Sequence, residues 1–217
     1  MTKEIDVRRD VYGRNREQAQ AMREWFGRCG VRVINVIGSP GSGKTSLLEQ
    51  AGRLMGSRLR MLVVEGDVET ENDAQRLRAV GLAAVQIQTH GTCHLDPRMI
   101  EESLDGTDLG AYDLVVIENV GNLICPTCFD LGEDARVVVA SVTEGDDKPV
   151  KYPKAYHSAD VCVLNKVDLL GHVSFDVEAF EAGARRANER LEVLHASCTS
   201  GEGMERWCSW LVGQGQG

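Results

Sequence analysis

A glycine-rich stretch, Gly38 to Thr45, reads Gly-Ser-Pro-Gly-Ser-Gly-Lys-Thr and follows an apolar, β-branched run from Val31 to Ile37. It fits G-x-x-x-x-G-K followed by Ser or Thr at every fixed position, which is the pattern of a phosphate-binding loop. Glycines let successive backbone N–H groups converge on phosphate oxygens at the positive end of the following helix. The sequence therefore predicts a nucleotide site in which Lys44 reaches the β- and γ-phosphates and Thr45 binds Mg²⁺. The residues expected to contact the nucleotide phosphates are Gly38, Gly41, Ser42, Gly43, Lys44, Thr45 and Ser46.

The stretch Asn165-Lys166-Val167-Asp168 matches N-K-x-D and directly follows a predicted strand, Val161 to Leu164. A carboxylate at the last position accepts hydrogen bonds from guanine N1–H and from the exocyclic amine, and adenine lacks both donors. We therefore expect guanine recognition by Asn165, Lys166 and Asp168, and a ligand that is GTP or GDP. Ser197 and its neighbours are expected to supply backbone contacts to the guanine carbonyl.

Acidic residues follow two further predicted strands, and the carboxyl ends of parallel strands form the ligand crevice of an α/β sheet. Glu118 is a Walker-B-like carboxylate, with Glu where Asp is usual, and is expected to act on Mg²⁺ through water. Asp67 and Asp73 are the candidates for positioning the water that attacks the γ-phosphate. The alternative is that Asp67 is only a solvated carboxylate in a turn and that Asp73 only complements the dipole of its helix. Lys44, Mg²⁺ and backbone amides would stabilise the developing charge.

Cys93, His94 and Cys125 form a second group, and each lies just past the end of a predicted strand. Thiolate with imidazole suits Zn²⁺ or Ni²⁺, and three ligands fall short of a closed four-coordinate cage. The spacing thus predicts a metal site completed by water or by a symmetry-related subunit. His90 and Cys128 remain candidate ligands, since Cys125 to Cys128 has C-x-x-C spacing. The alternative is a pair of reduced thiols in a turn beside a polar histidine.

Composition limits the class of protein. The chain has 217 residues, 42% hydrophobic and 26% charged, which suits one α/β domain. Its formal net charge of −9 argues against a nucleic-acid binder, because such proteins need Lys and Arg to displace counterions. No apolar run approaches the roughly 20 residues that cross a bilayer, and the first residues lack a signal-peptide pattern. We therefore expect a cytoplasmic protein with no membrane partner. Its seven cysteines are a poor match to a disulfide framework, and some are expected to be reduced core residues, most clearly Cys162 in its apolar run.

Apolar strand patterns alternate with amphipathic helix patterns along the chain. This alternation predicts an α/β, P-loop NTPase fold with a mostly parallel central sheet of about seven strands, flanked by helices. Residues 1–13 are expected to form a flexible N-terminus and residues 14–217 the P-loop GTPase domain. The helix predicted for residues 14–28 would pack on the sheet edge, and Ser174 is expected to cap a late helix that runs to about Arg190.

Taken together, these motifs resemble one family, the hydrogenase nickel-incorporation GTPases known as HypB. The resemblance covers nearly the whole chain from about Arg14 onward. Its marks are the stretches 39–45, 65–67, 93–96, 118–126, 129–133, 143–149, 165–168 and 201–204. Many members also carry an N-terminal cysteine motif or a histidine-rich tract, and residues 1–13 contain neither.

The resemblance implies a dimerising GTPase that helps deliver nickel to nickel–iron hydrogenase during its maturation. It places Ni²⁺ or Zn²⁺ on Cys93, His94 and Cys125, Mg²⁺ and hydrolysis on Thr45, Asp67, Glu118 and Asp73, and guanine on Asn165, Lys166 and Asp168. It also implies a homodimer formed with GTP or metal, a HypA-type nickel- and zinc-binding partner, and a hydrogenase large-subunit precursor as recipient.

Three other interpretations remain open. A urease accessory GTPase also delivers nickel, but its metal motif is Cys-Pro-His, whereas here Cys93-His94 and Cys125-Pro126 are separate. A nucleotide-gated metal scaffold would need binding without useful hydrolysis. A P-loop small-molecule kinase is disfavoured by the guanine motif at Asn165 to Asp168.

Overall fold

The computed structural model describes residues 7–67 and 72–213. Its strands there are β1 (Arg32–Gly38), β2 (Met61–Asp67), β3 (Ala83–Gln88), β4 (Leu114–Glu118), β5 (Ala135–Ser141), β6 (Val161–Asn165) and β7 (Glu192–Ala196). Its α-helices are α1 (Val7–Cys29), α2 (Lys44–Met55), α3 (Asn72–Ala79), α4 (Pro97–Ser103), α5 (Lys148–Lys151), α6 (Pro153–His157), α7 (Val177–Ala187) and α8 (Met204–Leu211).

The strands form a seven-stranded sheet in the order β3-β2-β4-β1-β5-β6-β7. Every neighbouring pair is parallel, so the predicted fold class is confirmed. Strand β1, which leads into the phosphate loop, is central, and the chain turns to opposite sides of it. Ligands of open α/β sheets bind at such a reversal, beside the carboxyl ends of the strands.

Helices cover both faces of the sheet. On one face α2 and α8 contribute Leu48 and Trp207 to a core with alternate residues of the central strands. On the other face α1 and α4 cover β1, β2 and β4, while α6 and α7 cover β5 and β6. Cys162 is fully buried in β6, as predicted from its apolar neighbours. Burial on both faces explains why the strands are almost continuous in Val, Ile and Leu.

Helix α1 differs from the prediction in its start and in its packing. It begins at Val7, so the predicted start at Arg14 is wrong, while residues 1–6 lie outside the described residues. Met22 and Phe26 join a core with the central-strand residue Val33, so α1 packs on a sheet face and not on the edge. The sequence pattern of residues 14–28 places Ala21 on the apolar side of this helix with Met22, but Ala21 is exposed, so that assignment is wrong.

Helix α7 also begins later than predicted. Its N-cap is Asp176, whose carboxylate accepts a hydrogen bond from Ala179 N at 2.9 Å, and the helix ends at Ala187. The predicted cap, Ser174, lies two residues too early. Both residue types are good caps, so the start of the helix was decided by the packing of the α7 residue Phe180 into the core, which the local sequence does not show.

A loop of residues 129–134, here called the clamp loop, is fastened to α1. Asn15 Nδ2 donates to Asp130 O at 3.0 Å, and Asp130 N donates to Asn15 Oδ1 at 3.1 Å. Arg23 Nη2 donates to both carboxylate oxygens of Asp130, at 2.9 and 3.1 Å. Gly132 has φ +82°, and a Cβ there would lie 2.7 Å from Met22 Cβ and 2.8 Å from Ala19 O. The helix and the loop therefore meet backbone to backbone.

Gly132→Ala should lower the free energy of unfolding by about 3 kcal/mol, because it adds both backbone strain and a steric clash. The matched control is Gly27→Ala on the same helix, where a Cβ meets nothing within 4 Å. Replacing a glycine within a helix should raise stability by about 0.5–1 kcal/mol. Urea unfolding of the two variants measures both effects. Equal stability of the two variants would contradict the close approach of α1 and the clamp loop.

Candidate nucleotide and metal sites

The phosphate loop joins Gly38, the last residue of β1, to Lys44, the first residue of α2. Gly43 has φ +95°, and a Cβ there would clash with the side-chain amide of Asn165. That amide donates to Ser42 O at 2.9 Å, and Lys166 Nζ donates to Gly41 O at 2.6 Å. Residues of the predicted base motif thus hold the phosphate loop in shape, which local sequence analysis did not anticipate for Lys166.

Asp168 and Ser197, both predicted to contact the base, lie together. Asp168 is exposed, while Ser197 is fully buried at the end of β7. Ser197 Oγ donates to Asp168 Oδ1 at 2.5 Å and accepts hydrogen bonds from Thr199 N and Ser200 N. The Ser197 side chain therefore orients the carboxylate, which is a role beyond the predicted backbone contact.

A cleft of about 460 Å³ opens beside the phosphate loop. Its walls carry Lys44, Thr45, Ser46, Glu65, Asp67, Asp73, Arg76, Glu118 and Lys166. The residues predicted to act on the γ-phosphate and on Mg²⁺ therefore share one cavity. Glu65 and Arg76 line the same cleft and had no predicted role.

Thr45 and Glu118 meet at the buried end of the cleft. Thr45 Oγ1 donates to Glu118 Oε1 at 2.7 Å, and Glu118 is 3% exposed. Within the described ranges, Glu118 Oε2 has no hydrogen-bond partner. Burial is the main cause that raises the pKa of Glu118 to about 7, against an opposing effect of Lys44.

Glu65 lies opposite Glu118 in the register of β2 and β4. It is also 3% exposed, and its Oε2 makes no hydrogen bond to any described residue. Burial first, and then the neighbouring charges of Glu118, Asp67 and Asp73, raise the pKa of Glu65 to about 8. Two buried carboxylates with unsatisfied oxygens are a donor set that suits a hard, oxygen-seeking cation, so the residues present fit Mg²⁺.

Asp73 is part of an ion-pair network at the mouth of the cleft. Arg76 Nη1 donates to Asp73 Oδ1 at 2.9 Å, and Arg76 Nη2 lies 2.7 Å from Glu49 Oε2 and 3.2 Å from Ser46 Oγ. Arg76 therefore links α3 to the helix that follows the phosphate loop. Its signal in the sequence is the (i, i+3) spacing after Asp73, which places both side chains on one helix face.

Cys93 and Cys125 lie together at the surface. Hydrogen bonding with the Cys125 side chain is the main cause that raises the pKa of the Cys93 thiol. His94 Nδ1 is 3.8 Å from Cys93 Sγ, and burial lowers the pKa of His94. Cys93 is exposed, and Cys125 begins a short 3-10 turn, Cys125–Cys128, in which Cys128 Sγ points back to Ile124 O at 3.8 Å. The three predicted ligands are thus neighbours.

The described part of the chain contains no group of three His, Cys, Asp or Glu side chains whose arrangement would already hold a metal ion. Across residues 7–67 and 72–213, no helix is long and apolar enough to cross a membrane.

The segment after β4 touches both sites. A Cβ on Gly121 would lie 3.0 Å from Pro40 Cγ in the phosphate loop, and Asn122 forms an antiparallel bridge with Gly38. Asn122 Nδ2 also donates to Cys93 O at 3.4 Å. Gly121 and Asn122 thus contact the phosphate loop on one side and the thiol-bearing loop on the other.

The parallel sheet, the phosphate loop and the carboxylate-lined cleft define a P-loop nucleotide-binding protein. Residues 32–195 match the family model described as the CobW/HypB/UreG nucleotide-binding domain. The hydrogenase maturation factor HypB of Azotobacter vinelandii is 49% identical over 210 residues, which cover 97% of this chain and 69% of that protein. The chain belongs to the HypB family of hydrogenase maturation factors.

Two solved structures of the family share the fold. HypB from Archaeoglobus fulgidus aligns with a TM-score of 0.86 and 41% identity, over 93% of this chain and 98% of that one. HypB from Helicobacter pylori in complex with nickel aligns with a TM-score of 0.88 and 35% identity, over 94% and 95% of the two chains.

Glu65→Gln should stabilise the nucleotide-free, metal-free protein at alkaline pH. The pKa of Glu65 rises from 4.5 to about 8, so the folded state holds a proton that the unfolded state has lost between these values. Stability therefore falls as pH rises through this window, and a neutral amide removes that loss. We expect a gain of about 1–3 kcal/mol near pH 8.5 and a clearly smaller gain near pH 5.5.

Urea unfolding at the two pH values measures the effect. The control is Glu102→Gln on the exposed ion pair with Arg98, where surface charge contributes about 0–1 kcal/mol. A gain for Glu65→Gln that is the same at both pH values would contradict the buried carboxylate.

Proposed function

We propose that the chain is a Mg²⁺-dependent GTP hydrolase with low intrinsic turnover, which couples its nucleotide state to the binding and delivery of nickel during hydrogenase maturation. The observation that carries this proposal is the segment Gly121 to Asn122, which contacts the phosphate loop and the Cys93 loop at once. Membership of the HypB family supports the hydrogenase assignment. The nickel complex of the Helicobacter pylori relative supports the choice of metal.

Guanine recognition rests on a carboxylate whose direction is fixed. Ser197 Oγ donates one hydrogen bond to Asp168 Oδ1. Because Asp168 is exposed, its carboxylate can still accept hydrogen bonds from a ligand on the solvent side. Guanine offers two adjacent donors, N1–H and the exocyclic amine, to such a carboxylate. A base that lacks these donors would leave the carboxylate unpaired and would bind more weakly. Lys166 supplies an aliphatic stem beside the base while its ammonium group holds Gly41 O.

Hydrolysis would use the phosphate-loop end of the cleft. Lys44 and the backbone N–H groups of residues 41–45 stabilise negative charge on the phosphoryl oxygens, at the N-terminus of α2. When bound beside Thr45, Glu118 and Asp67, Mg²⁺ would supply further charge stabilisation at the β- and γ-phosphates. Asp67 and Asp73 both line the cleft, and one of them orients the attacking water.

The second ion is cargo, and its donors are Cys93, His94 and Cys125. Two thiolates and an imidazole suit Ni²⁺ or Zn²⁺ better than Mg²⁺. Because these three donors leave a four-coordinate ion incomplete and Cys93 is exposed, a second copy of the chain would complete the site. We therefore propose a homodimer formed with GTP or metal. By family resemblance, a HypA-type partner and a hydrogenase large-subunit precursor would exchange metal with it.

Asp168→Asn should reduce GDP affinity about 100-fold or more, which is ~3 kcal/mol, because an amide presents a donor to the guanine donors. Xanthosine diphosphate carries a carbonyl in place of the exocyclic amine, so the variant should bind it better than the wild type does. Calorimetric titration with both nucleotides measures the exchange of preference. Asp176→Asn, which keeps an N-cap on α7, is the control. Unchanged GDP affinity in Asp168→Asn would contradict guanine recognition at this motif.

The affinity for Ni²⁺ should differ about tenfold or more between the GDP state and a state with a slowly hydrolysed GTP analogue. The cause is the shared segment, since phosphate-loop contacts change with the γ-phosphate. Competition against a chromogenic chelator measures both affinities, and Cys93→Ala should abolish the difference by removing a donor. Equal affinities in the two nucleotide states would contradict coupling.

A single-turnover GTP assay of the same preparations decides between hydrolase and scaffold. Hydrolysis that depends on Lys44 supports the enzyme. Binding without any hydrolysis, with or without metal, would instead favour the nucleotide-gated scaffold.

A further inference from the structure

The clamp loop connects α1 to the predicted metal ligand His94. Its first residue, Phe129, places its ring against the imidazole of His94, with centroids 3.9 Å apart and planes inclined by only 13°. Its second residue, Asp130, is the residue held by Asn15 and Arg23 of α1. Adjacent residues of one loop thus face two different elements, a helix outside the nucleotide site and a candidate metal ligand.

The stack restricts the imidazole. A ring lying flat on another at this distance cannot turn about its χ2 angle without first displacing the neighbour. His94 Nδ1 is at the same time 3.8 Å from Cys93 Sγ, so the restricted orientation directs the imidazole edge towards the thiol. A ligand that is already oriented loses less conformational freedom when a metal binds.

The clamp loop is also anchored to β5, through Arg136. Arg136 Nη2 donates to Phe129 O at 2.8 Å and to Glu133 Oε1 at 2.5 Å, and both side chains of this ion pair are 10% exposed or less. The α1 contacts are therefore an addition to a loop that already has a buried anchor. Removing the Asp130 carboxylate should loosen the position of Phe129 while the buried ion pair keeps the loop folded.

We propose that Phe129 and Asp130 are positioning residues for metal binding, through which α1 fixes the orientation of the His94 imidazole. The proposal rests on the proposed function, because it takes Cys93, His94 and Cys125 as the metal donors. It adds an effect that the nucleotide does not exert, since α1 reaches His94 through the clamp loop and not through the phosphate loop.

The test uses the full chain and Ni²⁺ as the probe. Phe129→Leu removes the stacked ring, Phe129→Tyr retains it, and Asp130→Ala removes the carboxylate that Arg23 holds. Glu24→Ala is the matched control, because Glu24 is an exposed residue of α1 whose side chain accepts from Gln20. Each variant is measured for Ni²⁺ affinity, for the thiolate-to-nickel absorption band, for GDP affinity and for the thermal unfolding midpoint.

Phe129→Leu should weaken Ni²⁺ binding about 10-fold to 100-fold and shift the absorption band, as expected when support of a ligating imidazole is lost. Phe129→Tyr should bind Ni²⁺ as the wild type does, and Asp130→Ala should weaken binding by a smaller factor. GDP affinity should stay unchanged in all of them, and Glu24→Ala should change nothing. This pattern would not arise from a general loss of structure, which would lower GDP affinity as well.

The Cys93→Ala variant distinguishes failure of the positioning role from failure of the proposed metal site. Wild-type Ni²⁺ affinity and an unshifted band in Phe129→Leu, with Cys93→Ala impaired, would overturn the positioning role and leave the metal site intact. Unchanged Ni²⁺ binding in Cys93→Ala would show that the proposed metal site is itself wrong, and the positioning role would fall with it. Parallel losses of Ni²⁺ and GDP affinity in Phe129→Leu would also overturn the proposal.

Discussion

The contact between Gly121 and Pro40 is the constraint that joins the nucleotide cleft to the loops carrying the proposed metal donors. A side chain at position 121 would come within 3.1 Å of the Pro40 backbone, so the segment after β4 lies directly on the phosphate loop. The bridge between Gly38 and Asn122 adds a backbone contact at the same place. Packed elements of this kind move together or shift between discrete arrangements, because no free volume separates them. Under the proposed coupling, a change at the phosphates would reach Asn122, whose side-chain amide donates to the backbone carbonyl of Cys93.

The carboxylates of the cleft show what the nucleotide site requires. Glu65 and Glu118 are both 3% exposed, and each has an oxygen without a described partner. Burying two such groups side by side costs free energy, which either a bound proton or a cation at the free oxygens would reduce. The fold can tolerate the cost because the preceding parts of both strands, Met61 to Val64 in β2 and Leu114 to Ile117 in β4, are apolar and buried. Two buried carboxyl groups that follow apolar stretches of neighbouring strands conflict with the packing of the core around them, and such local conflicts are expected at functional sites.

The motifs that are contiguous in the chain could be predicted from the sequence, because their geometry is local. The phosphate loop, its strand and its helix follow from glycine spacing and an apolar run, and N-K-x-D follows its strand directly. Glu65 had no such signal, since its meaning comes from lying opposite Glu118 across two strands. The pairing of Asn15 with Asp130 joins residues 115 positions apart, so neither local pattern shows it. The packing face of α1 was misjudged for the same reason, since it is set by the clamp loop and the central strands.

The three proposed metal donors come from segments that are anchored to different parts of the molecule. Cys125 follows the segment that contacts the phosphate loop, while Cys93 is tied to that segment through Asn122. The imidazole of His94 instead stacks on the ring of Phe129, whose loop is hydrogen-bonded to α1. A binding site assembled from independently held donors has an affinity that depends on all of its anchors, and linkage makes each dependence reciprocal. Metal bound between them would therefore act back on the phosphate loop and on α1 alike. In this arrangement the metal affinity of one small surface site would depend both on the bound nucleotide and on the contacts of α1 with the clamp loop.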